Sequence, residues 1–259
     1  MTIRDGSFLP TAFPALSMLI FHPDEGPVLF DTGYDPMFFE ATHSFPERLY
    51  RWVTPVTLDP GEALATQLER YSVAPTEIKH IVISHFHADH IAGMHSFPNA
   101  KIHCAKSGLK SVCSRTRWSA VRHGTLQSLV PSDIDDRASF FEDKPLTSLP
   151  HDFQPFEYGV DILGDGSLLA VDLPGHCPGH WGLGLRTEDG NHSFLVADAA
   201  WSTDAIRRNI PPPAISSSFL GKTRSTRNTL GMLHALQKGN EDIFLVPSHC
   251  PECAKLAER

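Results

Sequence analysis

Three apolar residues, Ile81, Val82 and Ile83, stop abruptly at Ser84, and the next six positions carry His85, His87, Asp89 and His90. A β-branched run of this kind reads as a buried strand. Three imidazoles and a carboxylate crowded at its end would be costly to desolvate without partners, so the fold must give them something to bind. In an extended segment residues i and i+2 point the same way, which lets His85 and His87 converge on one ion. Asp89 and His90 follow at the turn and face a second. Imidazole nitrogen and carboxylate oxygen are ligands that zinc accepts at about 2.0–2.2 Å. Paired catalytic metals lie about 3.5–4 Å apart, so one short loop can begin two coordination shells.

One loop cannot complete either shell, and three later junctions repeat the pattern of an apolar run ending in a ligand-type residue. His176 follows the run "SLLAVDL" through Pro174 and Gly175, Asp198 ends "SFLVA", and His249 ends "IFLVPS". Rigid strands with donors at their tips build a precise site. Of the other histidines, His22, His43, His103, His151 and His192 read as surface or hydrogen-bonded residues, and His95, His123 and His234 have no stronger claim.

The remaining pattern is mixed. "ALSMLIFHP" and "GPVLFDTG" read as strands around a turn at 23–26, and Pro60 to Val73 reads as a helix with Asp59 as its N-cap. "AKIHCA" is a short strand, and Lys106 to Lys144 is irregular with helical parts. "VDILGDGSLLAVDL" gives two strands around Gly164-Asp165-Gly166, Ser225 to Lys238 a helix, and "DIFLVPSH" a last strand. Strands that end in polar loops and alternate with helices imply an α/β layered sandwich. No repeat or low-complexity linker divides the 259 residues, so 1–259 reads as a single domain.

Composition narrows the partners. The net charge of -8, with no Lys/Arg-rich run, argues against nucleic acid. No apolar stretch approaches the ~20 residues of a membrane span. The N-terminus has one early Arg, then Pro10 and Pro14, and no signal-peptide apolar stretch, so export is not expected. Five scattered cysteines fit reduced thiols in a cytoplasm better than a disulfide framework. Cys177 follows His176, Cys250 follows His249, and Cys250-Pro-Glu-Cys253 is a C-x-x-C; these read as incidental small thiols. For oligomeric state only the base rate speaks, and it favours a homodimer.

"HFHADH" resembles the H-x-H-x-D-H signature of the metallo-β-lactamase superfamily. "LFDTG", "LPGHCPGH", "VADAAW" and "VPSHC" follow the family's order and span nearly the whole chain. The resemblance implies an αββα four-layer sandwich with a dinuclear metal site, holding two divalent ions, zinc foremost, with manganese, iron or cobalt also accepted. It implies His85, His87 and His176 on one metal, Asp89, His90 and His249 on the other, and Asp198 bridging both. Asp31 and His180 would orient the ligands from behind. Among subfamilies the N-acyl-homoserine lactone lactonases look most similar. They carry Tyr three residues after the bridging Asp, where this chain has Trp201, a residue that donates one N–H but is no acid.

The expected activity is hydrolysis of a lactone or ester carbonyl by a metal-bridging hydroxide, with Asp89 as proton shuttle and Trp201 at the substrate, on a small-molecule substrate. A thioester or phosphotriester is the alternative within the fold. An iron-dependent persulfide oxidoreductase is the alternative of another class, disfavoured because the donors for a second metal are all present.

Overall fold

The computed structural model describes residues 12–211 and 223–257; the export expectation falls on residues 1–11 and lies outside them. The chain divides into two compact units, 17–140 and 1–16 with 141–259. Among the described residues each unit contains one sheet.

The sheet of the 17–140 unit has the order β1 (Met18–His22), β2 (Gly26–Phe30), β3 (His80–Val82), β4 (Lys101–Cys104), β5 (Ala138–Phe140). The β1–β2 hairpin is antiparallel, with Gly26 at the turn in the left-handed region. From β2 onward every pairing is parallel, so the carboxyl ends of β2 and β3 lie side by side. Leu29, Ile81, Ile83, Ile102 and Cys104 share a core with Phe38, Leu68, Met94, Phe97, Leu109 and Val112 from the helical segments. Each large side chain buried this way contributes about 1.5–3 kcal/mol.

The expected helix over 60–73 is shorter than its periodicity suggests. Gly61 has φ +103°, so the helix starts at Leu64, tightens into a 3-10 turn at Leu68–Tyr71 and ends where Ser72 turns left-handed. Asp59 contributes through its backbone, its N–H donating to Glu62 Oε2 at 2.7 Å. The irregular region from 106 resolves into helices at Lys106–Cys113, Arg117–Arg122 and Ile134–Arg137.

The second sheet runs β11 (Phe244–Pro247), β10 (His192–Ala197), β9 (Trp181–Arg186), β8 (Leu168–Asp172), β7 (Tyr158–Asp161), β6 (Leu146–Ser148). It is antiparallel except for the β10–β11 pair. Leu169, Val171, Phe194, Val196 and Leu245 share a core with Leu230, Leu233 and Leu236 of the helix Thr223–Gly239. Mixed α/β structure on two sheets with helices packed against each is the expected fold class. No helix among the described residues is long and apolar enough to cross a membrane.

Candidate metal centre

In the 17–140 unit the parallel register does the positioning. Phe30 pairs with Val82, so the residues that follow, Asp31 and Ser84, emerge next to one another. Asp31 is fully buried with φ +58°, a left-handed conformation that Asp tolerates better than most residues. Its Oδ1 accepts from the Ser84 N–H at 2.8 Å and its Oδ2 from the Ser84 hydroxyl at 2.7 Å. Thr32 donates to the His90 carbonyl from both its N–H and its hydroxyl, at 2.8 and 2.9 Å.

This network fixes two imidazoles. His90 Nδ1–H donates to Asp31 Oδ2 at 2.7 Å, because a carboxylate only accepts, and Nε2 is left unprotonated, the form that ligates. The Ser84 hydroxyl already donates to Asp31, so it accepts from His85 Nδ1–H at 3.0 Å, which leaves His85 Nε2 unprotonated as well. His85 Nε2 lies 3.0 Å from His87 Nδ1. Two nitrogens on one tetrahedral ion at about 2.05 Å sit about 3.3 Å apart, so the pair is spaced for a shared ion. Asp89 Oδ2 lies 3.6 Å from His90 Nε2. The loop thus offers two pairs, His85 with His87 and Asp89 with His90. Gly124, at φ +67°, turns the chain beside the His87 ring, where a Cβ would make ordinary contact at 3.4 Å.

The other unit assembles its own donors in the same way. β10 and β11 run parallel with Ala197 opposite Pro247, so Asp198 and His249 emerge from adjacent strand ends. The register shifts between Leu195 and Ala197, and Ala197 has φ +46°, a strained conformation that redirects the chain just before Asp198. Asp172 pairs with Trp181, so Leu173 to His180 forms the loop joining β8 to β9 and carries His176. His176 Nε2 is 3.3 Å from Asp198 Oδ2, and His249 Nε2 is 3.2 Å from Asp198 Oδ1. The buried carboxylate stands between two imidazoles, the arrangement a bridging ligand needs.

Orientation again comes from behind. His249 Nδ1–H donates to the Pro14 carbonyl at 2.7 Å, turning Nε2 toward Asp198. His180 Nδ1–H donates to the Leu173 carbonyl at 3.1 Å, and its Nε2 accepts from the Asp198 N–H at 3.1 Å. With both nitrogens engaged, His180 holds the Asp198 backbone and not an ion. The Trp201 ring meets His249 edge-on at 5.8 Å and Phe13 at 6.3 Å, forming an apolar wall. Cys250 is buried, and the Cys253 thiol that donates to it draws its pKa down to about 5 while Cys253 is pushed up.

Of the expected ligands, His85, His87, Asp89 and His90 lie together in one unit and His176, Asp198 and His249 in the other, while Asp31, His180 and Trp201 lie beside them. The donor chemistry, imidazole nitrogens with carboxylates between or beside them, fits divalent zinc, manganese, iron or cobalt. Three contributors escaped the sequence reading. Ser84 carried a weak signal, a hydroxyl wedged between a strand and the histidines. Pro14 acts through its carbonyl and Gly124 through the left-handed turn it makes beside His87, and neither leaves a readable trace.

Comparison with known proteins places these observations. Residues 10–197 match the family described as the metallo-beta-lactamase superfamily. The chain is 26% identical over 195 residues to the N-acyl homoserine lactonase AttM of Rhizobium radiobacter, an alignment covering 75% of this chain and 66% of that protein. It thus spans just under two thirds of that relative's length. A solved N-acyl homoserine lactone hydrolase, with the product N-hexanoyl-L-homoserine bound at the catalytic metal center, superimposes with TM-score 0.71 at 17% identity, covering 98% of this chain and 89% of that one. AidC, a dizinc quorum-quenching lactonase, gives TM-score 0.60 at 16% identity, with 90% and 71% covered.

Proposed function

This chain belongs to the metallo-beta-lactamase superfamily, and on that footing we propose that it is a dinuclear metal-dependent hydrolase of lactone or ester bonds in small molecules. The two units act in this reading as one 1–259 domain and pool their donors. His85, His87 and His176 would hold one ion, Asp89, His90 and His249 the other, and Asp198 would serve both. What carries the reading is the matched pairing within each unit: two donor pairs on the His85–His90 loop, and two imidazoles flanking one carboxylate at Asp198. The relatives named as lactonases support the substrate class, and AidC, named as dizinc, supports two ions with zinc foremost.

Two bound divalent cations supply Lewis acidity and a water acidic enough to be hydroxide near neutrality. The chain's own groups do the rest. Asp31, through Ser84 and His90, keeps the imidazole tautomers fixed so that no reorganisation is needed during turnover. Asp89 is less buried than its neighbours; its Oδ2 takes the proton of the attacking water and returns it to the leaving oxygen. Trp201 and Phe13 shape an apolar wall for the acyl or ring portion. The Trp201 indole N–H donates one hydrogen bond to a substrate oxygen and releases no proton.

The test is elemental analysis of purified protein together with a hydrolysis panel of lactones, aryl esters, thioesters and phosphotriesters. Two equivalents of metal and turnover of lactones or esters are expected. His87→Ala and Asp198→Ala should each abolish turnover and lower the bound metal. Full activity in either variant with metal stripped overturns the proposal, and preference for thioesters or phosphotriesters moves the substrate class while leaving the centre intact. The iron-dependent oxidoreductase alternative has no counterpart among the relatives reported above.

A further inference from the structure

Cys250-Pro-Glu-Cys253 reads in the sequence as a pair of incidental thiols, but the fold puts it where two side chains are made to meet. The Ala254 N–H donates to the Cys250 carbonyl at 3.0 Å, and Pro251 opens the helix Pro251–Ala257. Cys250 therefore caps that helix and Cys253 lies in its first turn, three residues on. A Ser or Thr and a Glu at these two positions commonly bond to one another's backbone. Here both are cysteines, and their sulfurs are hydrogen-bonded to each other. Helical geometry sets Cα atoms three residues apart at about 5 Å, inside the range of about 4.4–6.8 Å that a disulfide spans.

The pair is seated from three directions, all within the unit that holds residues 141–259. The Cys250 N–H donates to the Pro247 carbonyl at 3.3 Å, and Cys253 Sγ lies 3.9 Å from the Leu245 carbonyl, so β11 backs both residues. Thr203 Oγ1 is 3.5 Å from Cys250 Sγ and donates to Glu252 Oε2 at 2.6 Å. Arg207 donates to both oxygens of Glu252, at 2.8 and 3.0 Å. The residue between the cysteines is thus tied to the helix Thr203–Arg208, which holds the turn that carries them. Cys250 is 0% exposed and Cys253 6%, so only a small reagent enters and it meets Cys253 first.

We propose that Cys250 and Cys253 are a reversible dithiol–disulfide site whose oxidant is hydrogen peroxide. In the first step the Cys253 S–H and one peroxide give a sulfenic acid on Cys253 and one water. In the second the Cys250 sulfur displaces the sulfenic oxygen, which leaves as water with the Cys250 proton, and the S–S bond forms. Two thiols lose two electrons and two hydrogens, and the peroxide is reduced to two waters. An external dithiol reverses the change by exchange through a mixed disulfide. The site lies in one unit and stands whether or not the proposed ions bind. It also sets the selectivity. Reaction governed by exposure alone would begin at Cys113, which is exposed, and a preorganised pair diverts it to two buried sulfurs.

The experiment treats the folded, reduced full chain with one equivalent of hydrogen peroxide, quenches with catalase, alkylates under denaturing conditions and maps the peptides by mass. Labelling of Cys250 and Cys253 should fall together at least tenfold, and the peptide carrying both should be lighter by two hydrogens. Cys113 should keep its label, and dithiothreitol should restore the other two. Consumption of Cys113 ahead of the pair overturns the site, as does full labelling of both Cys250 and Cys253. Conversion of Cys253 to sulfinic acid with Cys250 still labelled overturns it too, because the second thiol then fails to close the bridge. Cys250→Ser tests the order of steps. With the closing sulfur gone, the Cys253 sulfenic acid should accumulate and be trapped by dimedone at least tenfold more than in the unmutated chain. Equal trapping in the two chains counts against the pair. The mapping on the unmutated chain decides the proposal even if the variant does not fold.

Discussion

Asp31 sits in a left-handed turn and from there reaches Ser84 with both oxygens and His90 with one. A simple turn residue would need only the backbone conformation, and Asn adopts that conformation as readily as Asp. Asp31→Asn therefore separates the two roles, since it keeps the turn and removes one acceptor from beneath Ser84 and His90. Metal affinity, measured by chelator competition, should fall about 10- to 100-fold with little change in fold. An affinity within twofold of wild type would make Asp31 a turn residue alone. Gly175 poses the opposite case, where backbone geometry is everything. Gly175→Ala adds a Cβ against Thr226 at a φ that L-residues rarely adopt. A loss of about 2 kcal/mol or more is expected, or roughly 4–8 °C in Tm by thermal unfolding. An unchanged Tm would mean the loop can shift.

At the scale of elements, the site is a consequence of strand register. Neighbouring parallel strands end level with one another, so Asp31 meets the Ser84 loop and Asp198 meets His249. The strands that deliver donors were legible because each is a short apolar run cut off by a polar residue. β9 was not legible. Its sequence, WGLGLR, interrupts the apolar pattern with glycines whose cause lies in the distant residues packed against them. A Cβ on Gly182 would come 2.7 Å from both Leu173 Cδ1 and the Leu195 carbonyl, so packing, and not local propensity, selects glycine there. The helix Pro251–Ala257 was hidden for a similar reason, being too short for periodicity to register. Gly182→Ala tests the packing account. Overfilling should cost about 1–3 kcal/mol, seen as a lower denaturation midpoint, while metal stoichiometry stays at the wild-type value. A neutral effect would show that β9 has room the register does not suggest.

For the whole molecule the proposed ions matter as much to stability as to chemistry. Each unit carries its own core and its own share of the proposed donors, four in one and three in the other. An ion held by donors from both, as proposed, would be bound only while both are folded, and metal affinity would then become folding free energy. At free zinc 100 times the dissociation constant the linkage contributes about 2.7 kcal/mol per site. For a chain of this length that corresponds to a rise of roughly 5–11 °C in Tm. Stripping metal with a chelator should therefore lower Tm by several degrees, and adding zinc back should restore it with saturation at two equivalents. His85→Ala removes a donor from one unit and Asp198→Ala a donor from the other, and both should blunt the same zinc-dependent rise. If only one of them did so, the ions would belong to a single unit and the pooling of donors would be wrong. If neither did, the clusters would be imidazole–carboxylate networks that hold the strand ends in place without metal.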